Sequence, residues 1–170
     1  QIHKELLSIQ SESECKIRTP DELFIEIAAA KELGKRVVLT NGCFDVIHAG
    51  HVSYLREAGA LGDLLVVGVN CDEQVSAQKG EGRPIYCLYE RMEILAELQC
   101  VGLVVPFPQP TAEELIQIVK PDLYVKGGDY SLDEIKEHDV LRELGIEVRV
   151  LSERPGRSST DVVAQLKETH

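Results

Sequence analysis

His48 and His51 stand three positions apart with Gly50 between them, in the stretch Thr40-Asn41-Gly42-Cys43-Phe44-Asp45-Val46-Ile47-His48-Ala49-Gly50-His51. The stretch follows a short β-type run at 36–39 and opens a helical pattern over 50–61, with Val52, Leu55 and Ala58 on one face. At a helix N-terminus the unpaired N–H groups and the dipole favour an anion. Gly50 lets a ligand approach the backbone closely. Each imidazole can donate a hydrogen bond to a phosphate oxygen, and donates more strongly when protonated. The pattern therefore points to phosphate chemistry. The bland alternative is a pair of ordinary core or surface histidines. Zinc is disfavoured, because it takes three or four ligands and no third His or paired Cys stands nearby.

Three further segments carry chemistry-bearing residues. Arg154-Pro155-Gly156-Arg157-Ser158-Ser159-Thr160-Asp161 opens a helical pattern over 159–167. Its hydroxyls and N–H groups can cradle a second anion, or serve only as a helix cap. Lys79-Gly80-Glu81-Gly82-Arg83-Pro84, followed by Glu90-Arg91, reads as a cationic loop or as a solvated one. Tyr124-Val125-Lys126-Gly127-Gly128-Asp129-Tyr130 leaves a strand, and its glycines can equally serve a strand-end turn. Other motifs fail. Gly34-Lys35 lacks the upstream Gly of a P-loop, and Arg36 stands where Ser or Thr is needed. Gly80-Glu81-Gly82 lacks the third Gly of a dinucleotide fingerprint.

The elements that must position these residues alternate. Thr19-Pro20-Asp21-Glu22 starts a helix that Gly34 ends. Strands are predicted at 36–39, 64–69, 101–105 (closed by Pro106 and Pro108), 123–125 and 147–151. Helices are predicted over 50–61, 89–98, 111–119, 132–144 and 159–167. The run at 64–69 is continuously apolar, as expected of a strand buried on both faces. Repeated β-α alternation predicts an α/β fold with a doubly wound, five-stranded parallel sheet, whose ligands sit at the carboxyl ends of the strands. Residues 1–18 read as a polar tail or extension, and 19–170 as one domain.

Composition narrows the function classes. The chain has 170 residues, with 44% hydrophobic and 28% charged, which excludes whole-chain disorder. Its formal net charge of −11 argues against a nucleic-acid-binding surface. Lys79, Arg83, Arg91, Lys126, Arg154 and Arg157 nevertheless all fall in candidate site loops. An acidic exterior with a locally basic cleft suits an anionic substrate. Five cysteines without a CxxC pair argue against a disulfide framework. With no signal-peptide core and no membrane-length apolar run, the expected setting is the cytoplasm. The chain does not begin with Met, which predicts processing or trimming.

At these motifs the chain resembles the nucleotidyltransferase superfamily that carries His-x-Gly-His. The resemblance rests on Gly42-Cys43-Phe44-Asp45, His48-Ala49-Gly50-His51 and the distant Ser158-Ser159-Thr160. Lys79-Gly80-Glu81-Gly82-Arg83-Pro84-Ile85 and Val125-Lys126-Gly127-Gly128-Asp129-Tyr130 extend it to the adenylyltransferase domain of bifunctional heptose-phosphate kinase/heptose 1-phosphate adenylyltransferases. It runs from Lys16 to Leu166, and the chain holds no kinase domain, so a stand-alone form is implied. The chain departs from that domain in reading Ser158-Ser159-Thr160 where Ser-Thr-Thr is common, and in placing Arg157 where a smaller residue is frequent.

The resemblance implies that ATP and D-glycero-β-D-manno-heptose 1-phosphate give ADP-heptose and pyrophosphate, for lipopolysaccharide synthesis. The sugar phosphate would attack the α-phosphorus in line. His48 and His51 are then donors to the phosphates and the transition state. Lys79 and Arg91 neutralise the triphosphate, and Lys126 meets the sugar phosphate or the α-phosphate. Ser158, Ser159 and Thr160 hold the β- and γ-phosphates, while Gly42, Cys43, Phe44, Gly50 and Gly127 shape the nucleotide site. Asp129 is a turn former or a ligand contact, and Asp45 is structural rather than a base. Mg²⁺ accompanies ATP, on phosphate oxygens rather than on protein ligands. A homo-oligomer is plausible for the family. Two rivals stay open: a related enzyme such as a glycerol-3-phosphate cytidylyltransferase, and an ATP-sensing module without turnover.

Overall fold

Thr19 starts the first helix through a reciprocal cap. Its hydroxyl accepts the Glu22 N–H at 3.3 Å, and the Glu22 carboxylate accepts the Thr19 N–H at 2.8 Å. In the computed structural model, which describes residues 16–128 and 131–151, this helix is α1 (Pro20–Glu32). It turns Leu23, Ile27 and Ala30 inward, at helical spacing.

The chain then alternates as expected: β1 (Val37–Gly42), α2 (Ala49–Gly59), β2 (Leu64–Asn70), α3 (Asp72–Lys79), α4 (Leu88–Ala96) and β3 (Leu103–Phe107). After these come α5 (Glu113–Val119), β4 (Leu123–Gly127), a 3₁₀ turn (Leu132–Glu134), α6 (His138–Glu143) and β5 (Glu147–Leu151). The five strands form one sheet in the order β3-β2-β1-β4-β5, and every pairing is parallel. The chain winds outward from β1 to β3 and then crosses back to β4, so the switch point lies between β1 and β4. One apolar layer packs β1 and β2 against α1, α5 and α6. The other packs the opposite sheet face against α2 and α4.

Register explains where a ligand fits. β1 runs alongside β2 from Val37↔Leu64 to Gly42↔Val69. Against β4 it pairs only at Val38↔Leu123 and Leu39↔Tyr124. Beyond Leu39 the two strands part, and a crevice opens at their carboxyl ends.

The structure corrects several sequence-based bounds. β3 begins at Leu103 and includes Pro106. A proline without an N–H is tolerated there because β3 is the last strand on its side of the sheet. Outside it, Ile17 bridges to Val104 and the Arg18 N–H donates to the Val104 carbonyl at 2.8 Å. The sequence does not announce α3, because Val75 is its one buried residue and gives no period to read. The helix expected over 132–144 is broken into the 3₁₀ turn and α6. Ile135 and Glu137 are both buried at a spacing of two, which one continuous helix does not place on one face. The helix expected over 159–167 lies outside the described residues.

Candidate active site

The parting of β1 and β4 leaves polar groups that two tyrosines take up. On the α2 face, the Tyr54 hydroxyl donates to the Val125 carbonyl at 3.2 Å and meets Thr40 Oγ1 at 2.5 Å. On the opposite face, the Tyr124 hydroxyl donates to Asn41 Oδ1 at 2.5 Å. Burial, then the nearby negative charge of Glu137, pushes the Tyr124 hydroxyl well above its ordinary pKa, so it remains a donor. The two strand ends are thus held apart at a fixed width.

His48 and His51 sit at the mouth of this crevice and cap α2 with their own rings. His48 Nδ1 accepts the Gly50 N–H at 3.1 Å, and His51 Nδ1 accepts the His48 N–H at 3.3 Å. An imidazole that accepts at Nδ1 carries its neutral-form proton on Nε2. The reciprocal cap therefore selects the tautomer in which Nε2–H is the donor left for a ligand. The rings lie with centroids 4.0 Å apart. Burial first, then the charges of His48 and Lys79, lowers the His51 pKa to about 4. His51 is therefore a neutral donor near pH 7.

The loop that carries the histidines is tied down from below. Phe44 adopts φ 48° in the left-handed region, and its ring stands edge-on to His51 at 5.7 Å. A Cβ at Gly42 would meet the Phe44 ring at 3.1 Å, so a larger residue there would have to push the ring aside by a few tenths of an ångström. The Asp45 carboxylate is buried and takes Arg83 Nε at 2.5 Å and the Ile85 and Tyr86 N–H groups at 2.6 and 3.2 Å. Burial raises its pKa, but these donors outweigh burial and leave it below the usual carboxylate value. The fully buried Arg91 donates to the carbonyls of Cys43 (2.5 Å), Asn70 (2.8 Å) and Tyr86 (3.0 Å), and to the Asp72 carboxylate (2.7 Å). One guanidinium thus joins the ends of β1 and β2 to the loop before α4.

Above this base lies a cavity of about 380 Å³, within the size range of small-molecule sites. Lys79, Lys126 and Lys136 line it together with His48 and His51, opposite in charge to Glu134 and Glu137 on the same lining, so three ammonium groups meet here in a chain of net charge −11. Imidazole N–H donors beside lysines at a helix N-terminus suit the phosphates of a nucleotide.

Comparison with known proteins agrees with this geometry. Residues 39–165 match the family described as cytidylyltransferase-like. The chain belongs to the cytidylyltransferase-like family. It is a nucleotidyltransferase, as its cavity chemistry suggests. Bifunctional protein HldE of Aeromonas hydrophila is 46% identical over 162 residues, 95% of this chain and 34% of that protein. Bifunctional protein HldE of Alcanivorax borkumensis is 48% identical over 147 residues, 86% of this chain and 31% of that protein. The chain thus spans about a third of the length of these relatives. A crystal structure of a lipopolysaccharide core biosynthesis protein from Thermoplasma volcanium is 31% identical, with a TM-score of 0.60. The match covers 73% of this chain and all of that one.

Of the residues that the family resemblance singled out, Gly42, Cys43, Phe44, His48, Gly50, His51, Lys79, Lys126 and Gly127 all border the cavity. Arg91 does not; its side chain is spent beneath the loop, so the structure gives it a positioning place rather than one on a triphosphate. Arg83 is likewise engaged by Asp45. Asp129, Ser158, Ser159 and Thr160 lie outside the described residues. Sequence reasoning missed Asn41, Tyr54, Asn70, Gln78 and the 134–137 segment. Tyr54 was within reach, because it follows His51 by three on α2 and shares its face. Glu137 carried no signal, as it stands among acids that read as a solvated face.

The burial of neutral His51 sets an acid limit on stability. The unfolded chain binds its proton near the ordinary histidine value of 6.5, and the folded chain only near 4. The contribution is full above the unfolded value and is lost as pH falls through the folded one. It amounts to about 3 kcal/mol. Urea midpoints measured from pH 7 to pH 4 are expected to fall more steeply for the natural chain than for His51→Gln. Parallel slopes would show that His51 does not bind its proton in this way.

Proposed function

We propose that this nucleotidyltransferase transfers the adenylyl group of ATP to D-glycero-β-D-manno-heptose 1-phosphate, releasing pyrophosphate and forming ADP-heptose. The observation that carries the reading is the reciprocal histidine cap, which leaves the Nε2–H donors of both rings for a ligand at the mouth of the strand crevice. Supporting it are the 46% identity to a Bifunctional protein HldE and the resemblance of the Lys79–Ile85 and Val125–Tyr130 phrases.

An oxygen of the sugar phosphate attacks the α-phosphorus. The bond from that phosphorus to the α–β bridging oxygen breaks, and its electron pair leaves with pyrophosphate. A sugar phosphate is already ionised near neutral pH, so no strong base is required. Asp45, occupied by three donors, is not offered as one. Positioning and charge stabilisation supply the rate. His48 and His51 donate to the oxygens that gain charge. Lys79 and Lys126 neutralise phosphate from two different elements, Lys79 at the end of α3 and Lys126 near the end of β4. Ser158, Ser159 and Thr160 are assigned to the β- and γ-phosphates, and Asp129 to the nucleotide side.

Mg²⁺ enters as part of the nucleotide substrate. Among the described residues no cluster of three His, Cys, Asp or Glu side chains could hold a metal. No helix among the described residues is long and apolar enough to cross a membrane, and the reaction is assigned to the cytoplasm.

The family description, cytidylyltransferase-like, favours one other reading, a cytidylyl transfer, for which glycerol 3-phosphate serves as the trial acceptor. Pyrophosphate release with ATP, CTP, GTP and UTP, each offered heptose 1-phosphate or glycerol 3-phosphate, separates them. Turnover confined to ATP with the heptose is expected. Turnover confined to CTP with glycerol 3-phosphate would discard the proposed substrates and keep the mechanism.

A further inference from the structure

Glu137 carries a buried acceptor, Oε2, with no close hydrogen-bond donor among the described residues. The residue is 3% exposed, yet it borders the same cavity as His48 and His51. Its Oε1 accepts the Ala112 N–H at 3.1 Å, just before α5. Its Oε2 is buried and has no hydrogen-bond partner among the described residues. Lys126 Nζ stands 3.9 Å from Oε2, in ion-pair range but beyond a hydrogen bond. The neighbouring Tyr124 hydroxyl donates to Asn41 at 2.5 Å and interacts with Glu137 only at longer range.

A buried acceptor left unmade is costly, so a donor from outside the protein is the natural complement. The donor cannot be a phosphate, which is anionic and would be repelled. A hydroxyl is an uncharged donor that suits it, and Lys126 beside it attracts phosphate. The pair thus reads one molecule that bears both a hydroxyl and a phosphate. We propose that Glu137 is a hydroxyl-recognition residue of the active site, its Oε2 accepting a hydrogen bond from a hydroxyl of a phosphate-bearing substrate. Two molecules carry that chemistry here, the sugar phosphate and the ribose of the nucleotide. The inference rests on the proposed nucleotidyl transfer, because that reading puts both into this cavity. It adds a specificity determinant that the loop motifs do not contain.

The test is calorimetric binding to the natural chain and to Glu137→Gln. The Gln variant keeps the Oε1 acceptor for Ala112 and the side-chain shape, but replaces the charged acceptor. The probes are heptose 1-phosphate, ATP, 2′-deoxy-ATP and 3′-deoxy-ATP, and each variant's melting temperature is recorded. The substrate whose hydroxyl is held should bind about tenfold more weakly to the variant, the difference between a charged and a neutral hydrogen bond. A loss for heptose 1-phosphate alone assigns the hydroxyl to the sugar. A loss for ATP that is absent for one deoxy analogue assigns it to the ribose. Unchanged affinity for every probe overturns the inference, and a lowered melting temperature with it would reduce Glu137 to a cap of α5. If the natural chain binds neither ATP nor heptose 1-phosphate, the proposed function fails and takes this inference with it. Natural-chain binding with an indifferent variant refutes this inference alone.

Discussion

Replacing His51 with alanine lowers turnover by about 10²- to 10³-fold, the usual cost of one preorganised donor to developing charge. His51 Nδ1 takes the His48 N–H, which fixes the ring and leaves Nε2–H as its donor. Burial keeps the ring neutral, with a pKa of about 4, so the donor needs no protonation event near neutral pH. Alanine removes the donor together with one half of the cap, and a lost cap costs about 1 kcal/mol of stability. That is small beside the catalytic effect, so circular dichroism should remain native while pyrophosphate release collapses. A folded variant with near-normal turnover would remove His51 from the mechanism.

Arg91→Ala is expected to act through structure instead. The side chain is fully buried and serves three carbonyls and one carboxylate. Its loss orphans the carbonyls of Cys43, Asn70 and Tyr86 and leaves a void under the histidine loop. The expected destabilisation is about 3–5 kcal/mol, from unsatisfied acceptors and the cavity together. Urea unfolding measures it directly. Were Arg91 a triphosphate ligand, as the family resemblance implies, its loss would instead raise the KM for ATP in a chain of unchanged stability. Arg91→Lys separates the two further, because an ammonium can keep a charge but cannot span four acceptors in different directions.

The contrast between these residues shows what the sequence makes legible. His48, Gly50 and His51 are readable because their spacing on a helix start has a physical meaning by itself. The sheet is readable because 64–69 is apolar throughout and the strand-helix alternation allows few topologies. Arg91 is misread because its type and loop position suit a phosphate equally well. Only burial reveals that its donors face backbone carbonyls. Glu137 is invisible because its sequence neighbourhood is acidic and polar. Its inward turn follows from the break between the 3₁₀ turn and α6, which brings Ile135 and Glu137 to the cavity wall together. α3 escapes because a helix with a single buried residue has no periodicity. Tyr54 and Tyr124 hold the crevice open through pairings set by strand register, which composition does not encode.

The central claim is that the bond broken lies between the α- and β-phosphates of the nucleotide. Incubation with Mg²⁺, heptose 1-phosphate and ATP labelled at either the α- or the γ-phosphorus tests it most directly. The α-label is expected to move into the sugar nucleotide and the γ-label into pyrophosphate. Label passing from the γ-position to the sugar would contradict it, and so would bound ATP that releases no label at all.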